Sequence, residues 1–323
     1  MTQLSAKSTK YMDWACLMLI NFMWATQVPV IKLIGDRLGP VAIAFVPMVL
    51  STLLFLPALY FESRRLARPL QWHWRDAKHF LIAGVFGMFL LQFTYTLGAQ
   101  RTLGSNAAVI TLSIPALVAV AASIMLGEKL TAVRLAGFLL ALAGVLMTSV
   151  PDLRRSHLGS GSYLLGDFLF FVACAASAFY NTYCKLLIEK NYTELEILVY
   201  TSAVASIGSI PLFFWLEPVP VRTMLQMDWR ALLGILELAL IVYGASMLLF
   251  FWILKRLDVT QATLSNYALP FFMGVLAVLV LHERLTPLVI AGGCIVFLST
   301  LIVTVYESDI LAWLAQRRSA QSE

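Results

Sequence analysis

Of the 323 residues, 60% are hydrophobic and 13% are charged, against about 45–50% and 25% in soluble globular chains. That balance excludes a soluble domain and places the chain in lipid. The formal net charge of +5 comes from basic residues scattered through short loops at membrane boundaries, so it describes topology and not a nucleic-acid partner patch.

The chain divides into ten apolar runs of about 20 residues, the length that crosses a hydrocarbon core of about 30 Å. They fall at 14–35, 40–61, 77–98, 105–126, 131–150, 163–186, 195–216, 229–253, 260–281 and 286–306. Residues 1–13 form a basic tail with Lys7 and Lys10. The run that follows is too long for a signal h-region and lacks a small-x-small cleavage site, so it is read as the first span. It carries Asn21, Trp24, Gln27 and Pro29. The loop from Glu62 to Lys78 is basic, with Trp72 and Trp74 as interfacial anchors. Gln92 and Tyr95 stand in the third run, and Asn106, Thr111 and Pro115 in the fourth. In the fifth, Gly137, Ala141 and Gly144 form a small-residue ridge suited to a packing or homodimer helix.

A linker at 151–162, rich in Pro, Gly and Ser, follows. In the sixth run Ser177, Tyr180, Asn181 and Cys184 fall at i, i+3, i+4 and i+7, one face of a helix. Thr263, Asn266, Tyr267 and Pro270 repeat that spacing in the ninth, and Glu237 and Tyr243 lie inside the eighth. Residues 307–323 are a second tail. The four cysteines, Cys16, Cys174, Cys184 and Cys294, lie inside runs without metal or redox spacing, and the four histidines are dispersed in loops or at run ends. No metal, cofactor or enzymatic activity is expected.

The stretch Ser105–Gly137 returns in altered form at Thr260–Gly292. At an offset of 155, Ala107 meets Ala262, Pro115 meets Pro270, Glu128 meets Glu283, Thr131 meets Thr286 and Gly137 meets Gly292. The chain therefore has two homologous halves, 14–150 and 163–306. Five crossings per half start the second copy on the opposite side, so the repeats are inverted, an architecture with a site near the bilayer midplane and two nearly equivalent states. Fifteen of the 23 Lys and Arg residues fall on one side of this topology, which predicts that both termini are cytoplasmic.

Two five-helix halves, a Trp-small pair ending in a Lys (Trp24, Ala25, Lys32) and the duplicated proline followed by a Glu-basic-Leu-Thr corner resemble the drug/metabolite transporter superfamily. The EamA-type ten-helix branch is the most similar part of it. The resemblance implies export or exchange of small metabolites, often amino acids, and a bacterial inner membrane. Ser177 and Ala178 stand where Trp24 and Ala25 do, a departure from strict symmetry, while Lys185 matches Lys32.

Polar side chains within spans are costly unless they face the protein interior or a water-filled cavity. The candidates for substrate binding are therefore Trp24, Gln27, Gln92, Tyr95, Asn106, Thr111, Tyr180, Asn181, Tyr243, Asn266 and Tyr267. Glu237 lies eight positions beyond Trp229, about 12 Å along a helix. An ionised carboxylate at that depth costs about 2.5–3.5 kcal/mol. It is read as a proton-coupling or substrate-amine site, the alternative being a permanently protonated acid bonded to a neighbouring helix. Pro115, Glu128, Pro270 and Glu283 are read as structural hinges and caps. The expectation is an all-α membrane carrier working by alternating access on a small amphipathic metabolite, in contact with membrane lipid, without nucleic acid. A phosphorylated substrate would call for buried Arg or Lys, which the deep faces lack. A multidrug proton antiporter and a lipid flippase are the alternatives.

Overall fold

The computed structural model describes residues 2–65, 70, 73–127, 133, 136–137, 139–140, 143–144, 146–147, 162–217, 227–257 and 259–305. The corner at Glu128 to Thr131, the linker up to 161 and the C-terminal tail lie outside these residues, and the fifth apolar run is described in part.

Among the described residues all regular structure is helical. Seven helices among these residues are long and apolar enough to cross a membrane: α1 (Met12–Ile34), α2 (Pro40–Arg65), α3 (Ala77–Arg101), α4 (Gly104–Leu126), α5 (Tyr163–Glu189), α6 (Glu194–Leu216) and α7 (Trp229–Leu254). A shorter apolar helix, α8 (Leu269–Leu279), and α9 (Pro287–Val305) follow. Large apolar side chains point outward, among them Phe61, Phe214, Trp215, Phe271 and Leu279, each more than 65% exposed. In water such a surface would aggregate. In a bilayer it is the solvent-facing side of an integral membrane protein.

The duplication is visible in the irregularities of the helices. The wide π-turns of α3 and α7 begin at Ala83 and Glu237, an offset of 154. The α-helix of α4 stops at Thr111 and resumes at Ile114, next to Pro115; the segment leading into α8 has a 3₁₀ turn at Leu264–Tyr267 before Pro270. Each proline lies at the start of the resumed helix, where its missing N–H breaks no bond. The first span departs from its copy, as the sequence does. Helix α1 is pinched at Thr26, three residues before Pro29, whereas α5 runs unbroken from Ser162 to Glu189 with Thr182 at the corresponding place.

Counterpart helices pack side by side, α2 with α6 and α4 with α8. Each pair is antiparallel, because the end of one meets the beginning of the other. Glu217, just past α6, accepts the Val41 N–H at the start of α2 (2.9 Å), and Glu62, near the end of α2, accepts the Thr193 hydroxyl before α6 (3.1 Å). Glu283, past α8, accepts the Gly104 and Ser105 N–H groups that open α4 (2.8 and 2.9 Å). Helix starts leave N–H groups without intrahelical partners, and a carboxylate there is worth about 0.3–1 kcal/mol, up to about 2 when partly buried. The α6 start is completed by a capping box in which Thr193 and Glu196 exchange side-chain to backbone bonds.

Helices α3 and α5 approach most closely through two glycines. A Cβ on Gly98 would lie 2.7 Å from the Phe170 backbone nitrogen, and one on Gly166 would lie 2.6 Å from the Arg101 carbonyl carbon. Neither backbone can retreat without moving its helix. Gly98→Ala is therefore expected to destabilise the detergent-purified protein by about 1–3 kcal/mol, read as a lower unfolding temperature. Gly208→Ala, where an added methyl meets nothing within 4 Å, should cost nothing.

At one end of the bundle Asp76 joins α3 to the α5–α6 turn, with Lys190 at 2.5 Å and the Tyr192 hydroxyl donating at 3.0 Å. The hydrogen bond from Lys190 holds the Asp76 carboxyl below the usual carboxylate range, and burial pushes the Tyr192 phenol up to about 12, so it remains a donor. A depressed carboxyl stabilises fully above its unfolded value of about 3.9 and loses that contribution as pH falls through its folded value. Thermal unfolding at pH 7 and at about pH 3 should thus show a larger acid loss for the natural protein than for Asp76→Asn.

Candidate functional site

Side chains of α1, α3, α4, α5, α7 and α8 converge on a central cavity of about 40 Å³. At about 10–15 Å³ of such space per water, that is room for about three waters. Helix α1 contributes Trp24 and Gln27 on either side of its pinch, α3 contributes Gln92 and Tyr95, and α4 contributes Thr111 immediately before its break. Cys174 and Ser177 come from α5, and Asn266 from the 3₁₀ turn before α8.

Gln27 Nε2 donates to Gln92 Oε1 at 2.9 Å, tying α1 to α3. Trp24 Nε1 donates to Ser246 Oγ at 2.8 Å, and Asn21 Nδ2 donates to Ser265 Oγ at 3.0 Å, tying α1 to α7 and to the 3₁₀ turn before α8. The Trp24 ring packs on Phe250 at 5.2 Å between centroids, and the Tyr95 ring on Phe170 at 4.5 Å. Asn266 lines the cavity, and its Oδ1 is buried without a hydrogen-bond partner in the structure. Among the described lining residues there is no Lys, Arg, His, Asp or Glu. The site can hold a small molecule by aromatic contact and neutral hydrogen bonds; it offers nothing to pair with a phosphate.

Six of the eleven substrate-binding candidates meet here: Trp24, Gln27, Gln92, Tyr95, Thr111 and Asn266. The other five do not line it, although the Tyr243 hydroxyl lies beside Gln27 and Thr96. The Tyr180 hydroxyl bonds Thr201 of α6 at 2.8 Å, with its ring against Gly87. Asn181 donates to Ser177 Oγ at 3.5 Å, Tyr243 is fully buried within α7, and Tyr267 is half-buried against the core. Asn106 donates to Asp167 at 3.4 Å, and Asp167 also accepts from the Thr102 hydroxyl.

Asp167 is a carboxylate only 3% exposed that pattern reasoning did not single out, because it lies in the first turns of its run. The signal was available in the repeat. Asp13 lies one residue from the matching position in the first half, and it pairs with Arg256 at 2.6 Å. Cys174 and its helix neighbour Ala173 were likewise missed as cavity walls; the stripe on the sixth run had picked out Ser177 but extended in the other direction.

Glu237 opens the π-turn of α7 and lies outside the central cavity. Its Oε1 accepts the Thr26 hydroxyl at the α1 pinch, while its Oε2 is buried without a partner. It stands at the inner part of a lateral groove of about 470 Å³ between α1 and α7, walled by Val30, Ile34 and Leu233, with Arg37 and Arg230 also on its lining. Thr26 separates it by one residue from Gln27 in the cavity. Glu283 caps α4, a helix other than the one it precedes; Thr286 caps its own helix, accepting the Val289 N–H at 3.3 Å. Glu128 lies outside the described residues.

Known proteins place this geometry in a family. A protein of Archaeoglobus fulgidus named "Uncharacterized transporter" is 26% identical over 290 residues, spanning 90% of this chain and 98% of its own. A "Probable terminal-alkyne amino-acid exporter" of Streptantibioticus cattleyicolor is 23% identical, over 87% of this chain and 89% of its own. A solved crystal structure at 17% identity superposes with a TM-score of 0.61, covering 90% of this chain and 98% of that one, a likeness of fold. The profile of the EamA-like transporter family matches residues 13–150 and again 164–305, once for each half. The chain belongs to the EamA-like transporter family.

Proposed function

We propose that the protein is a carrier of ten membrane helices in two inverted five-helix repeats, 14–150 and 163–306, that moves a small amphipathic metabolite by alternating access. The substrate class is an amino acid or a related compound, and the direction is efflux. Both termini are cytoplasmic, and the membrane is a bacterial inner membrane.

One observation carries this reading: a cavity at the junction of the two halves, lined by Trp24, Gln27, Gln92, Tyr95 and Asn266 and by no charged side chain. A zwitterion or neutral molecule fits that chemistry, with Asn266 Oδ1 ready to accept an N–H. The exporter from Streptantibioticus supports the same class. With room for about three waters inside, the cavity is too narrow for any but the smallest amino acids, so larger substrates require the helix breaks beside Pro115 and Pro270 to widen it. Glu237, bonded to Thr26 next to Gln27, is placed to pass a change of protonation to the cavity wall, and it is the proton-coupling residue of this proposal.

A second reading is favoured by the lateral groove. Its apolar walls and Glu237 also suit a hydrophobic cation or a lipid entering from the bilayer, as in a multidrug antiporter or a flippase.

Thermal-shift screening of purified protein against amino acids, nucleobases, hydrophobic cations and lipids at pH 6 and pH 8 separates the two. A ligand at 100 times its dissociation constant stabilises by about 2.7 kcal/mol. An amino-acid-class hit that Trp24→Ala and Asn266→Ala abolish, with a pH dependence that Glu237→Gln removes, is the expected outcome. Stabilisation by lipid or cations alone, unchanged in Trp24→Ala and Asn266→Ala, would replace the carrier reading with the second. The amide pair gives a further check. Gln27→Leu leaves Gln92 without its donor and should cost about 1–3 kcal/mol of stability; adding Gln92→Leu should restore most of it in a double-mutant cycle while ligand binding stays lost.

A further inference from the structure

The molecule holds its two opposite faces together with the same device used twice, and we propose that Lys32 and Lys185 are the gating residues, one for each face. The inference rests on the reading of the central cavity as the transport site.

Lys32 lies in the last turn of α1. Its Nζ donates to the Thr102 carbonyl at the end of α3 (2.6 Å) and stands 3.8 Å from Glu283 Oε1. The same Glu283 carboxylate takes the Gly104 and Ser105 N–H groups. One ammonium and one carboxylate thus join α1, the α3–α4 corner and the end of α8, and the carboxylate comes from the other half of the chain. The pair is largely shielded, with side-chain exposures of 21% and 11%, so separating it leaves two poorly hydrated charges unless water enters behind them.

Lys185 is the copy of Lys32 at offset 153. Its Nζ donates to the Leu254 and Leu257 carbonyls at the end of α7 (2.6 and 3.2 Å), and Leu257 is the copy of Thr102 at offset 155. The two lysines serve opposite faces. Thr102 bonds Asp167 near the beginning of α5, which puts Lys32 and Asp167 on the same face, and Lys185 lies 18 residues further along the unbroken α5, about 27 Å away at 1.5 Å per residue.

Each lysine therefore staples the end of the first helix of its half to the end of the third, and the cavity lies between the two staples. Both are closed in this structure, which agrees with a cavity that holds only about three waters. A ligand passes to one face only if the staple on that face releases. An ammonium suits this role, because its three donors exchange carbonyl oxygens for water without rearranging a planar fork.

The cavity contains its own reporter. Cys174 lines it and is 2% exposed, so replacing Cys16, Cys184 and Cys294 with Ala leaves one thiol at the centre. Alkylation of Cys174 by a membrane-impermeant maleimide, added separately to each face of proteoliposomes of determined orientation, reads gate opening without any substrate. Lys32→Ala and Glu283→Gln should each raise the rate about tenfold or more, the scale of losing one charged hydrogen bond, from the Lys32 face only. Lys185→Ala should do so from the opposite face only. Rates unchanged in both lysine variants, or raised equally from both faces, overturn the proposal. Should Lys32→Ala fail to elute as folded protein, Glu283→Gln carries the test for that face. The readout is independent of ligand binding, so its failure leaves the thermal-shift result standing, and the converse also holds.

Discussion

Within a bilayer the chain cannot leave a backbone N–H to water, and a helix start has up to four of them. This protein meets that constraint across its repeat. Glu217 serves the start of α2, Glu62 bonds the residue that opens α6, and Glu283 serves the start of α4. In every case the carboxylate belongs to the end of the counterpart helix in the other half. Because a helix end can reach a helix start only when the two run in opposite directions, these contacts fix the antiparallel pairing of α2 with α6 and α4 with α8. The rest of the arrangement, including the cavity between the halves, depends on that pairing.

The cavity itself is built from interruptions. Gln27 follows the pinch of α1, Thr111 precedes the break in α4, Asn266 lies in the 3₁₀ turn before α8, and Val242 lies in the π-turn of α7. An uninterrupted helix spends its backbone groups on itself and turns its side chains by a fixed 100° per residue. Where the pattern slips, side chains are redirected inward and small groups of polar atoms can meet. Irregular backbone at membrane depth is tolerated where it is buried in protein or lines a cavity, and here it is both.

The sequence made the membrane class, the duplication and the family legible, because each rests on signals that do not require knowing which residues touch. Apolar run length, a corner repeated at offset 155 and the inward bias of polar residues are all one-dimensional. The cavity was legible in part. Trp24, Gln27, Gln92, Tyr95, Thr111 and Asn266 were found by asking which polar groups lie deep, but depth does not say which helix a face meets. Tyr180 was placed by the same rule and turns out to bond Thr201 of α6; Glu237 lies at the right depth yet faces the α1–α7 groove. Asp167 was passed over because it lies near a run end, where a carboxylate ordinarily reaches water. Its burial comes from Thr102 and Asn106, both at the α3–α4 corner, and no periodicity in its own run reveals them.

The two π-turns carry a message about history. A π-turn holds one residue more than the α-helical turn it replaces, and it rotates everything beyond it relative to everything before. Such a defect is unfavourable to acquire and easy to lose, yet it begins at Ala83 in one half and at Glu237 in the other, 154 residues apart. Independent insertions would have no reason to share a register. The kinked third helix is therefore an heirloom of the single unit that was copied. The differences that set the halves apart, Pro29 against Thr182 and Trp24 against Ser177, are later edits to a frame already bent.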